Sequence, residues 1–230
     1  GVIIKKVKNT KSLNYIDNLI KKKIIKILKL KISVKKLNLN RLHLFLGEKN
    51  LNQIRLELIN KINRDKSFKK NYFLIAEKML ENIIGGDESS LLPIHSDTWS
   101  GDSPFESVLW LPLVNCYKTK SMFILNSNKM KKFNMAFVDK KIKSVSDLSK
   151  KFKKDLNFIN INYGNYLLFN QNLPHGNLVN RTNETRVSLN CRYKGLFTPY
   201  KQKELGSFFS PLKIRASTKI GLEYNLPGKN

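Results

Sequence analysis

The apolar periodicity of this chain changes once, and that change limits what it can fold into. Before Gly85-Gly86 the spacing is helical. In residues 12–30, SLNYIDNLIKKKIIKILKL, Leu13, Ile16, Ile20, Ile24 and Ile27 share one face, while Lys22, Lys23, Lys26 and Lys29 fall mostly elsewhere. Further helices fit 48–62, with Leu51, Ile54, Leu58 and Ile62 on one side, and 71–82. After GGDESS come short runs rich in β-formers and bounded by turn residues: LLPIHSD, SVLWLPLV, SMFIL, FININY, YLLFN and RVSLNCRY. Gly164-Asn165, between FININY and YLLFN, suits a two-residue hairpin turn. Helices first and strands after predict a mainly β fold with a helical buttress, a sandwich or barrel. The expected layout is one domain. Residues 1–84 are the mostly helical buttress, 85–197 the β core with a Lys- and Ser-rich insertion about 139–157, and 198–230 a C-terminal extension that wraps the surface or a neighbouring subunit.

A chain of 230 residues is long enough to bury a sizeable core. No stretch approaches the roughly 20 apolar residues needed to span a bilayer. The opening GVIIKKVKNT has no signal-peptide pattern, so a cytoplasmic location is expected. Cys116 and Cys191 read as reduced thiols, since two cysteines in this length make no disulfide framework. The stripe of residues 12–30 reads as a face docked on a core rather than laid on a membrane.

The formal net charge is +26, which points toward nucleic acid until its distribution is read. Of 43 basic residues only seven are arginine. No lysine lies between Lys78 and Lys118 or between Lys154 and Lys194. Those two windows hold the chemically suggestive residues described next. The charge therefore reads as a solvated outer surface, with steering of an anionic substrate as the second reading. Nucleic acid is disfavoured as a partner.

His95 and Asp97, in PIHSDTW, are spaced i and i+2. On a strand that puts both side chains on one face, where a ring nitrogen and a carboxylate oxygen can meet one metal ion. His175, in NQNLPHGNLVN, can supply a third ligand. Two histidines and one carboxylate on one side of a metal suit the facial triad of non-haem Fe(II) enzymes, and zinc is chemically possible too. In RVSLNCRY, Arg186, Ser188, Asn190 and Arg192 share one strand face and Val187, Leu189, Cys191 and Tyr193 the other. A buried polar face needs ligands or mutual partners. An arginine fork beside a serine hydroxyl matches a carboxylate, so the strand looks built to hold a dicarboxylate by its far end.

The ordered set HSD, YGNYLLFNQNLPHG and RVS resembles the Fe(II)/2-oxoglutarate-dependent dioxygenases, most of all their phytanoyl-CoA-hydroxylase-like branch, which includes sugar-cluster and small-molecule oxygenases. The resemblance covers roughly residues 91–197. Gly164-Asn165 stands where that family commonly has Gly-Asp. The resemblance implies a double-stranded β-helix core, jelly-roll and cupin-like, behind N-terminal helices. It implies that His95, Asp97 and His175 hold Fe(II) and that Arg186 and Ser188 clamp the C5 carboxylate of 2-oxoglutarate, with dioxygen as the other cosubstrate. Halogenating relatives lack the carboxylate that Asp97 supplies, so hydroxylation or another C–H oxidation is implied.

The implied substrate is a small polar metabolite, anionic or sugar-like, with nucleotide-linked sugars included. The alternatives are a nucleic-acid demethylase of the same chemistry and a non-catalytic basic binding protein. Substrate contacts are assigned to Trp99, as a pocket gate or a rim packing residue, and to Arg192. Arg192 lies about 20 Å along the strand from Arg186 and can meet a substrate anion or a structural acid. Asp102 and Glu106 can hydrogen-bond a polyol or cap their loop. Trp110 and Pro112 read as packing residues, and His43 as structural. A homodimer is left open.

Overall fold

In the computed structural model the residues described are 2–47, 51–79, 94–139, 144–212 and 214–225. Helix α1 (Thr10–Leu28) starts at Asn9, whose side chain accepts a hydrogen bond from Ser12 N at 3.1 Å. It stops at Lys29, which turns left-handed at φ 52° and places its N–H on the carbonyls of Ile25 and Lys26. The predicted stripe is the buried one: Leu13, Ile16, Ile20, Ile24 and Ile27 all face inward. Helix α2 (Leu51–Asn63) matches the second prediction, whose residues 48–50 lie outside the described ones. Helix α3 (Lys66–Met79) starts five residues before the predicted 71. Asp65 explains the earlier start, because its carboxylate caps Phe68 N at 3.0 Å. Residues 80–82 of that prediction are not among those described. Both α2 and α3 pack on α1.

Among the described residues seven strands form two sheets. The larger is antiparallel, in the order β1 (Val2–Lys6), β5 (Asn165–Asn170), β2 (Glu106–Pro112), β7 (Ser188–Lys194). The smaller has the order β4 (Leu156–Phe158), β3 (Phe123–Leu125), β6 (His175–Gly176). The α1 stripe packs in one core with Val108, Leu109, Trp110 and Leu111 of β2 and Leu167 and Phe169 of β5. A second cluster joins Phe123 and Leu125 of β3 to Phe133 of α4 (Met130–Phe137), Leu148 of α5 (Val145–Lys151) and Phe152. The region read as an insertion therefore has apolar contacts of its own.

The mainly β expectation is corrected. Helix makes up 44% against 19% strand, so the fold is mainly helical. Its sheets are open and uncurled, not a double-stranded β-helix, jelly-roll or cupin-like barrel. The reason lies in runs that have strand texture without ladder partners. From LLPIHSD, only His95 makes a bridge, to His175, and residues 91–93 are not described. FININY gives the end of β4 and a single bridge from Ile161 to Cys116. Helices α4 and α5 lie where no helix was firmly predicted. The Gly164 turn also differs from the expected hairpin. Gly164 has φ +86° and Asn165 N bonds back to Asn162 O at 3.1 Å, yet β4 pairs with β3 and β5 with β1 and β2. The turn passes the chain from one sheet to the other.

The segment after β7 folds back toward β2. Ser103 Oγ donates to Pro199 O at 2.6 Å, and the buried Lys194 Nζ donates to Thr198 O and Pro199 O. Gly101 (φ +85°) lets this segment close up: a Cβ there would meet the Gln202 side chain at 2.5 Å. Further on lies α6 (Ala216–Glu223). Both cysteines are free and buried, and burial pushes each thiol up to about 11, as expected for inert thiols. No helix among the described residues is long and apolar enough to cross a membrane.

Candidate metal centre

His95 and His175 meet through the backbone. Each donates its N–H to the other's carbonyl, at 2.9 and 2.8 Å, while the far edge of His175 pairs with Ile124 of β3. This double bridge sets the two imidazoles 4.4 Å apart. Asp97 arrives differently from the prediction. It is not on a strand but begins a 3₁₀ turn, Asp97–Ser100, so the i, i+2 strand argument does not account for its position. That turn is fastened to the chain leading into β6: Asp97 N bonds Gln171 O at 3.3 Å, and Ser96 Oγ bonds Asn172 O at 2.9 Å. As a result, Asp97 Oδ1 lies 3.3 Å from His95 Nε2 and 3.7 Å from His175 Nε2. The three ligand atoms lie within 4.8 Å of one another, close enough to hold a metal ion.

The protonation states suit a metal. His175 Nδ1 lies 2.8 Å from the carbonyl of Leu173, a pure acceptor, so Nδ1 carries the proton and Nε2 presents its lone pair. Burial holds His175 down to about 4 against the opposing pull of Asp97, so the ring is neutral at pH 7. For Asp97, burial is the largest single influence and raises the carboxyl. The His95 hydrogen bond and the nearby His175 and Arg192 outweigh it and leave Asp97 below the usual range. Two imidazoles beside an ionised carboxylate are the donor set Fe(II) or zinc takes.

Arg192 sits at this centre, not out along a substrate channel. Nη2 is 3.3 Å from Asp97 Oδ1 and Nη1 is 2.7 Å from Asp102 Oδ2, while Lys203 Nζ stands 2.9 Å from Asp102 Oδ1. Of its two predicted readings, the structural acid is the one found. Asp102 is thus engaged with cations rather than presented to a polyol. Glu106 is buried and accepts Ser103 N at 3.1 Å, which is the loop-capping alternative, and burial raises its carboxyl.

Arg186 lies two residues before β7, half-buried, with Nη1 donating to Asn177 Oδ1. Burial lowers its guanidinium from the usual value, and no carboxylate pairs with it among the described residues. Ser188 opens β7 opposite Pro112. Between Ser188 and Arg192 on the same face, Asn190 Oδ1 is buried with no hydrogen-bond partner among the described residues. The register sets Trp110 opposite Asn190 and Val108 opposite Arg192. Trp110 is buried, consistent with packing.

Trp99 packs against α4. Its ring stacks on Phe137 at 4.1 Å and Phe133 at 5.8 Å, both on α4. His43 is structural, with Nδ1 2.9 Å from Thr185 Oγ1. Residues not singled out from sequence also shape the centre. Phe169 sets its ring against His175 at 4.8 Å, Gln171 is wholly buried beneath the turn, and Lys203 reaches Asp102. Phe169 and Gln171 carried a faint signal, since both lie in the run leading to His175. Lys203 carried none.

No family model matches the chain and no curated protein matches it. Among solved structures it is similar to the non-heme alpha ketoglutarate dependent epimerase SnoN from nogalamycin biosynthesis, at 14% identity and TM-score 0.43, covering 100% of this chain and 86% of that one. A second structure, SnoN in complex with Fe3+, alpha ketoglutarate and nogalamycin RO, gives 12% identity and TM-score 0.43, covering 100% and 87%. Likenesses of this size decide neither the fold nor the activity of this chain.

Proposed function

We propose that the chain is an Fe(II)- and 2-oxoglutarate-dependent oxygenase that oxidises a C–H bond of a small polar metabolite. The observation that carries this reading is the convergence of His95 Nε2, His175 Nε2 and Asp97 Oδ1 on one point, with the His175 tautomer already set for ligation. His95, Asp97 and His175 would hold the iron. When bound, Fe(II) with 2-oxoglutarate and dioxygen supplies the oxidising power, releasing succinate and carbon dioxide and leaving one oxygen for the substrate.

This chain's own residues do the positioning. Asp97 stays ionised and gives the site its negative charge, while the neutral His175 presents Nε2 without having to lose a proton. Arg186, with no carboxylate partner among the described residues, offers its guanidinium to the C5 carboxylate of the cosubstrate, with the Ser188 hydroxyl as second donor. The orphan Asn190 Oδ1 supports a ligand on that face, because a buried acceptor left unpaired costs about 1–3 kcal/mol. Phe169, with its ring against His175, supplies an apolar wall that keeps water away.

The finer reading is hydroxylation of a sugar or nucleotide-linked sugar in a single catalytic domain. The experiment is release of succinate from labelled 2-oxoglutarate, with and without Fe(II). The expected result is release that needs Fe(II) and is lost in Asp97→Ala. Release that Asp97→Ala retains would remove the assignment.

A further inference from the structure

We infer that Lys120, Glu184 and Thr185, held from the N-terminal layer by Asn40 and His43, form a clamp that positions Arg186 for the C5 carboxylate of 2-oxoglutarate. The inference rests on the reading of Arg186 as the cosubstrate arginine. It makes the clamp a set of positioning residues, which act through Arg186.

Lys120 is wholly buried, a place lysine almost never takes unless paired. It ends the 3₁₀ turn Lys118–Lys120, and its Nζ donates to Glu184 Oε2 at 2.6 Å and to Asn40 Oδ1. Tyr117 Oη donates to the same Glu184 oxygen at 3.2 Å. The Lys120 hydrogen bond holds the Glu184 carboxyl below its usual range, so it stays ionised at pH 7. The next residue is held as firmly. Thr185 is buried, and its N–H donates to Asn40 O at 2.6 Å. Its Oγ1 accepts from His43 N at 3.1 Å and lies 2.9 Å from His43 Nδ1. Asn40 and His43 belong to the 3₁₀ segment Leu39–Phe45, whose Leu39 and Leu42 pack in one core with the α1 stripe.

Arg186 follows at once. On its other side Val187 O accepts from Leu113 N at 2.9 Å, so the backbone is tied down on both sides of Arg186. The guanidinium is held at its tip, where Nη1 donates to Asn177 Oδ1, two residues past His175. The arginine is thereby linked to the strand that carries a metal-site histidine. Burial raises the Cys116 thiol, and Lys120, Arg186 and Glu184 all act on it too, so clamp and arginine share one neighbourhood. A buried ion pair contributes little net stability, because desolvation offsets the attraction, and apolar residues of like volume often do as well. What the Lys120–Glu184 pair adds is a fixed path for the chain entering Arg186. That path matters, since a displacement of about 1 Å caused far from the chemistry can cost on the order of 10²-fold.

The test compares wild type, Thr185→Val, Thr185→Ser, Arg186→Ala and the double variant Thr185→Val, Arg186→Ala. Each whole protein is titrated with 2-oxoglutarate under anaerobic Fe(II), and with Fe(II) alone. Valine keeps the shape of threonine and removes Oγ1, whereas serine keeps Oγ1. The expected result is that Thr185→Val weakens 2-oxoglutarate at least about tenfold, equivalent to about 1.4 kcal/mol. Fe(II) affinity should be unchanged, and Thr185→Ser should restore most of the loss. On the Arg186→Ala background Thr185→Val should add nothing, because the group it aims is gone. Lys120→Met with Glu184→Leu should weaken 2-oxoglutarate likewise while the fold stays cooperative, and it takes the place of Thr185→Val if that variant does not melt cooperatively. Wild-type 2-oxoglutarate affinity in the clamp variant overturns the proposal. So does an equal loss on the Arg186→Ala background, or Fe(II) affinity falling in step, since a merely structural role gives both. If wild type binds no 2-oxoglutarate, or Arg186→Ala binds it as wild type does, the cosubstrate reading itself fails and the clamp with it.

Discussion

Arg192 joins Asp97 to Asp102, with one guanidinium nitrogen 3.3 Å from the first carboxylate and the other 2.7 Å from the second. All three side chains are at least nine-tenths buried. One cation therefore balances two desolvated acids, with Lys203 completing the neutralisation at Asp102. Removing Arg192 leaves both acids under-compensated. Arg192→Ala should destabilise the fold by about 3–5 kcal/mol, as for other buried pairs broken from one side. Arg192→Lys should recover only part, because an ammonium cannot reach both carboxylates as a planar fork does. Urea unfolding of the three proteins checks this, and an alanine variant within 1 kcal/mol of wild type, on the order of a surface substitution, contradicts it.

The depressed His175 sets a pH dependence in the metal-free protein. Its folded value is about 4 against an ordinary 6.5, so between those values the unfolded chain binds more protons. Stability should be full above pH 6.5, fall as pH drops through this window, and reach its loss near pH 4. The loss amounts to at most about 3 kcal/mol, at 1.36 kcal/mol per unit. Asp97, also lowered, extends the decline further into acid. His175→Gln should flatten the slope between pH 6.5 and 4 in chelator-treated protein. A variant with the wild-type slope would assign it to other groups.

Ile20 is fully buried at the middle of the α1 stripe. Ile20→Ala should cost about 2–5 kcal/mol, the range for deleting a large aliphatic from a packed core. Thermal or denaturant unfolding measures it. A loss no larger than that of a surface substitution, about 0.5 kcal/mol, would mean that α1 does not dock as described.

Gly101 and Gln202 are coupled by proximity. Gly101→Ala should be destabilising by about 1–2 kcal/mol from the left-handed backbone alone, plus the collision with Gln202. Adding Gln202→Ala should return the collision part and leave the backbone part. A double-mutant cycle with no coupling would place the C-terminal segment away from the turn that carries Asp97.

What the sequence makes legible follows from the range of each interaction. The α1 stripe is readable because its burial repeats every turn along nineteen residues. The start of α3 was missed although Asp65 and Phe68 are near in sequence, since a capping aspartate without a strong apolar period is a weak signal. The three metal-site residues are readable as a set of donor types. Their geometry is not, because two-residue spacing fits a strand and a 3₁₀ turn equally, and the choice came from Gln171 O across the fold. That Arg192 meets a structural acid is one of its two readings, but which acid it meets is not legible. Its pairing with Asp97 and Asp102 depends on how the turn packs on β7. The sheets misled most. Apolar texture counts runs, whereas a ladder requires a partner strand: among the described residues LLPIHSD makes one bridge, and FININY makes one bridge beyond the end of β4.

The most direct measurement is an anaerobic titration of the protein with Fe(II) and 2-oxoglutarate, following the metal-to-ligand absorption band. The account predicts a saturable band that needs both reagents in wild type and is absent in Asp97→Ala. In Arg186→Ala the 2-oxoglutarate affinity should fall by about thirty to several thousandfold, from roughly 2–5 kcal/mol for one partner of a desolvated charge pair, with Fe(II) affinity little changed. No band in the wild type, or a band that Asp97→Ala retains, would contradict it.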